Sequence, residues 1–100
     1  MSEVITDKTG RKIQLRRVGV LEQLRLFKAL GPELSLNLPY LHGAMIAASI
    51  EMLDDVPVPF PVNEAGVESI LVRVGLDAMA EIAKATVQHE AQALAAEAGN

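Results

Sequence analysis

Apolar and charged positions alternate at the start of the chain. Val4-Ile5-Thr6 and Arg11-Lys12-Ile13-Gln14-Leu15-Arg16 flank Asp7-Lys8-Thr9-Gly10. Ile13 and Leu15 sit between polar neighbours, the period of a strand with one buried face. Asp at the first turn position and Gly at the last predict a type I turn whose Gly takes positive φ. Residues 1–17 therefore read as a β-hairpin. A lone hairpin is marginal in water, so its apolar face needs helices to pack on.

From Val20 the period lengthens to that of a helix. Val20, Leu24 and Phe27 fall on one side, with Leu21 and Leu30 nearby. Gly31-Pro32 predicts the stop, since Gly favours the position past a helix end and Pro cannot continue the helix. Residues 33–37 read as a linker carrying Leu34 and Leu36. Asn37 is placed to cap a second helix that tolerates Pro39 in its first turn. That helix is predicted to run to about Leu53 and is apolar nearly all round, as befits a helix central in the core or shared with a partner.

Asp54-Asp55 reads as a helix-terminating turn. Val56-Pro57-Val58-Pro59-Phe60-Pro61 must be extended, because each Pro keeps its predecessor out of the helical region. It is predicted to be a stiff connector laying Val58 and Phe60 over the core. Asn63 caps a third helix with Val67, Ile70, Leu71 and Val74 on one face, Gly75 marks a break, and a fourth helix follows to about Val87. The fold class is therefore α+β, mainly α, with an N-terminal hairpin followed by four helices. Residues 1–100 form one domain: the hairpin, a helical core over 18–87, and an Ala-rich helical tail over 88–100.

Composition sharpens the picture. Half of the residues are hydrophobic and only three are aromatic, with no cysteine. The chain is too apolar to be disordered and has no disulfide framework or thiolate metal site. No run is long enough to span a bilayer, and the first residues lack the pattern of a signal peptide, so a cytoplasmic location is expected. The net charge of −4 is unevenly spread. Residues 1–30 hold seven basic and three acidic groups, residues 31–100 two basic and ten acidic. A bipolar chain can attract copies of itself head to tail, and Arg11, Lys12, Arg16 and Arg17 are the candidate electrostatic patch.

Catalytic chemistry is hard to assemble from what remains. His42 and His89 make no chelating pair. Ser35, Ser49 and Ser69 lack a nucleophile context, and Ser49 is expected to bond a backbone carbonyl instead. The glycines form no phosphate-binding loop. No catalytic, cofactor or metal site is expected, and the protein is not expected to be an enzyme. The basic hairpin could touch nucleic acid without sequence specificity, although no aromatics interleave its cations for base stacking. A small nucleic-acid-binding regulator is therefore one rival reading.

The order of the pieces resembles the tail assembly chaperones of long-tailed phages and prophages. The resemblance rests on the hairpin Ile5-Thr6-Asp7-Lys8-Thr9-Gly10-Arg11-Lys12-Ile13 and on Leu26-Phe27-Lys28-Ala29-Leu30-Gly31-Pro32. It continues through Ala47-Ala48-Ser49-Ile50, Val56-Pro57-Val58-Pro59-Phe60-Pro61 and Arg73-Val74-Gly75, covering about residues 4 to 87. It implies a short-form chaperone that binds the tape measure protein, helps recruit tail tube protein, works in the host cytoplasm and is missing from the finished virion. A structural tail or connector component of the virion is the rival reading, and self-association is expected from the bipolar charge. A holdase of that kind needs a soft apolar surface that can later be displaced, which aliphatic and Met side chains supply. The candidate partner contacts are Leu34, Leu36, Leu38, Tyr40 and Leu41, with Val58 and Phe60 as a second edge.

Overall fold

The structure is a computed structural model that describes residues 3–98, with side chains described for 3–86. It is a small α+β domain. Strands β1 (Glu3–Thr6) and β2 (Lys12–Leu15) precede helices α1 (Val20–Leu36) and α2 (Leu38–Ser49). Strands β3 (Ile50–Leu53) and β4 (Val56–Pro57) follow, then α3 (Glu64–Ala98). The four strands form one antiparallel sheet in the order β1-β2-β3-β4.

The hairpin forms as its sequence predicts. Gly10 takes φ +90°, and its N–H donates to the Asp7 carbonyl at 3.0 Å. Ile5 pairs with Ile13 and Thr6 with Lys12. What the sequence reading missed is that this hairpin is half of a larger sheet. The expected second helix stops at Ser49, and Ile50–Leu53 pairs with β2 instead. Two causes act there. The Ser49 hydroxyl bonds the Ile46 carbonyl at 2.7 Å, which competes with helix continuation. The unpaired edge of β2 then offers the next residues a ladder, starting with the Arg16 N–H to the Ser49 carbonyl at 2.7 Å.

Between Leu15↔Ile50 and Gln14↔Met52 the register shifts, leaving Glu51 as the extra residue of a bulge. An inserted residue reverses the alternation of faces. Ile50 and Leu53, three apart, can thus both turn toward the helices, where Ile50 is buried and Leu53 packs against the core. Asp54 and Asp55 have φ of 48° and 66°, the two positive values of a two-residue type I′ hairpin turn. The acidic pair joins β3 to β4 and does not terminate a helix. The Asp54 carboxylate also accepts the Lys12 N–H at 2.9 Å. Pro57 lies in the short edge strand β4, a position where its missing N–H removes no central ladder bond.

Three helices are found where four were expected. The predicted breaks are real but the helices resume after them. Gly31 (φ 82°, ψ 173°) lies inside α1 and Gly75 (φ 83°, ψ 167°) inside α3. Both values fall in a region essentially reserved for Gly. Pro32 starts the second part of α1, since the missing N–H costs nothing at a helix's first position. Asn37 caps α2 as predicted, its side chain accepting the Tyr40 N–H at 3.3 Å.

The helical layer covers one face of the sheet. Ile13, Leu15 and Ile50 from the sheet meet Leu26 and Leu30 of α1 in the core. Ala44, Ala47 and Ala48 of α2, Val58 after β4, and Val67, Ile70, Val74, Ala78, Ile82 and Ala85 of α3 complete it. α2 packs against both α1 and α3, so its all-round apolar surface is mostly covered by the chain's own elements. The stretch 18–87 is thus not purely helical, because it supplies β3 and β4. α3 carries its backbone through the Ala-rich stretch to Ala98, while the side chains of the 88–100 tail lie outside the described residues.

Candidate partner-binding surface

The corner between α1 and α2 gathers the most exposed of the predicted contacts. The Gly31 break turns the last part of α1 away from the first. The Ser35 hydroxyl stitches the bend by donating to the Gly31 carbonyl at 2.7 Å, with the Phe27 carbonyl also within reach at 3.2 Å. Along this bend Phe27, Lys28, Gly31, Pro32, Ser35 and Leu36 line a shallow, open groove. Leu36 is 83% exposed and Leu38, across the Asn37 cap, 61%. Two isobutyl groups held in water by two helix ends are a local surplus of apolar surface.

The other predicted contacts divide by burial. Leu34, Tyr40, Leu41 and Phe60 are half-buried and pack against the core. The Tyr40 hydroxyl donates to the Glu68 carboxylate of α3 at 2.8 Å. Burial and then the Glu68 carboxylate push the phenol up from 10.0 to about 12. Val58 is 3% exposed and belongs to the core. Its N–H donates to the Glu51 carbonyl at 2.9 Å, which fixes it inward and removes it as a contact. The connector does lay Val58 and Phe60 over the core, as expected of it.

The candidate basic patch is also divided, because two of its four members serve the fold. Arg11 reaches across to the Gly75 break and donates to the carbonyls of Arg73 and Val74, the first at 3.1 Å. These are the carbonyls the break deprives of helical partners. Its Nε is anchored 2.9 Å from the Asp7 carboxylate. Asp7 is itself buried and accepts the Thr9 hydroxyl at 2.6 Å, the Thr9 N–H at 2.9 Å and the Arg11 N–H at 3.1 Å. Those bonds, the Thr9 hydroxyl foremost, outweigh burial and hold the Asp7 carboxyl at about 2, below its ordinary 3.8. Arg16 donates to the carbonyls of Ile50 and Val58 and lies over the Phe60 ring at 6.0 Å. Only Lys12 and Arg17 of the four are exposed.

The apolar residues of α1 divide between core and solvent. Leu26 and Leu30 are the buried pair, whereas Val20, Leu21 and Leu24 are exposed. Apolar residues occur on both sides of this helix, so its periodicity admitted either orientation. Val72 and Leu76 of α3 are exposed as well and were not singled out. His42 is exposed, and no group of three or more potential metal ligands occurs among the described residues. No helix among them is long and apolar enough to cross a membrane.

Compared with protein-family models, with curated proteins and with solved structures, the chain matches none of them.

Proposed function

We propose that the protein is a tail assembly chaperone of a long-tailed phage or prophage, in its short form. It binds the tape measure protein, keeps it soluble in the bacterial cytoplasm and helps recruit tail tube protein, by non-covalent contact and without catalysis or cofactor. The observation that carries this reading beyond the sequence resemblance is the exposed corner of Leu36 and Leu38 beside the Phe27–Leu36 groove. An apolar helix of a client can lay one side chain into such a groove. With aliphatic groups at the rim and Phe27 as its one aromatic, the contact lacks the Trp, Tyr and Arg anchors of tight interfaces. It therefore suits a client that must later be released to tube subunits.

Co-expression with the tape measure protein of the same phage or prophage tests the reading. The expected result is a soluble complex, with the chaperone missing from purified virions. Replacing Leu36 and Leu38 by Glu is expected to return the tape measure protein to the insoluble fraction while the variant itself stays folded. A tape measure protein that remains insoluble beside the unaltered chain would sink the proposal.

A further inference from the structure

Two stripes of aliphatic side chains face solvent on different helices, in surroundings of opposite charge. On α1, Val20, Leu21 and Leu24 are exposed. At 100° per residue, Val20, Leu24 and Lys28 share one face, with Leu21 beside them and Arg25 along one edge. Arg17 lies in the segment that leads into α1, three residues before Val20. Arg17, Arg25 and Lys28 are all exposed, and Glu22 falls on the opposite side of the helix. On α3, Val72 and Leu76 are each 83% exposed on either side of the Gly75 break. Ala65 and Ser69 share the Val72 face before the break and Ala80 the Leu76 face after it, all three exposed. The acids around it are Glu64, Glu68, Asp77 and Glu81, against Arg73 and Lys84, and Lys84 lies 3.6 Å from Glu81.

We propose that the two stripes are the halves of one contact between copies of this chain, the α1 stripe of one copy seating on the α3 stripe of the next. Charge selects this pairing. An α1 stripe meeting another would oppose three cations to three, whereas α1 against α3 sets cations beside carboxylates. A contact between two different patches is heterologous, so each copy keeps one half unused after pairing. Assembly therefore continues head to tail into a ring or an open filament. Five large aliphatic side chains make a small contact, which dissociates readily. The pairing does not rest on the chaperone reading, since Leu36 and Leu38 lie outside both stripes.

Sedimentation of the full chain decides the matter. The expected result is an average mass that rises with concentration beyond the dimer, with affinity falling about tenfold as salt is raised from low to high. Leu24→Glu and Leu76→Glu are each expected to remain monomeric, with helix content by circular dichroism unchanged because both positions are exposed. Their equimolar mixture is expected to form a one-to-one dimer and nothing larger, since each variant retains the half the other has lost. Val20→Glu mixed with Val72→Glu gives an independent repeat should either first variant misfold. Wild-type chain that stays monomeric throughout, single variants that still associate, or a mixture that remains monomeric would each overturn the proposal.

Discussion

Asp7 and Arg11 show how much of this fold hangs on single side chains. Asp7 closes the β1–β2 turn with one carboxylate oxygen and orients Arg11 with the other. Arg11 then satisfies the carbonyls of Arg73 and Val74, more than sixty residues away. A carboxyl held below its ordinary value contributes stability that is fully present above that value and is lost as pH falls through the folded one. For Asp7 the window runs from about 4 down to about 2. Acid unfolding should therefore steepen across that range, and Asp7→Asn should flatten the pH profile there, as monitored by denaturant midpoints at successive pH values. Arg11→Ala leaves two carbonyls without their donor, and the expected loss is about 1–3 kcal/mol by the same measurement. The Tyr40 phenol should ionise only near pH 12, read by ultraviolet absorbance, and Glu68→Gln should bring it down.

At the scale of elements, the two glycines that break α1 and α3 are the most informative positions. An added Cβ would meet nothing within 4 Å at either site, so any cost of a larger residue is conformational and not steric crowding. Gly31→Ala and Gly75→Ala should each destabilise by about 1–3 kcal/mol, since a non-Gly residue pays that much for such a backbone conformation. The glycines, the Asn37 cap and the Asp7–Gly10 turn were legible because local chemistry decides them. The end of α2 was not. Nothing in Met45-Ile46-Ala47-Ala48-Ser49-Ile50 forbids a longer helix, and β3 exists because β2 offers it a partner. A signal for it was nonetheless present. Ile50-Glu51-Met52-Leu53 and Val56-Pro57-Val58 flank an acidic dipeptide, the spacing of a two-residue hairpin.

For the whole molecule, the question is which apolar groups the domain keeps for itself. Leu26 is fully buried and Leu24 is 57% exposed. Leu26→Ala should cost about 2–5 kcal/mol, whereas Leu24→Ala should change stability by no more than about 0.5 kcal/mol. Thermal or denaturant unfolding of the pair would reveal a reversal if α1 faced the other way. Sequence alone determined the hairpin, the helical character of most of the chain after it, the breaks at Gly31 and Gly75 and the core face of Val67, Ile70 and Val74. Each depends on residues within a turn or two of one another. Tertiary structure decided that Ile50–Leu53 pairs as a strand, that Arg11 and Arg16 serve backbone carbonyls, and that Val58 is core while Leu36, Leu38 and the α1 stripe remain in water. Those outcomes turn on which distant surface covers a side chain, and a helix apolar on two sides carries no local mark of which side will be covered.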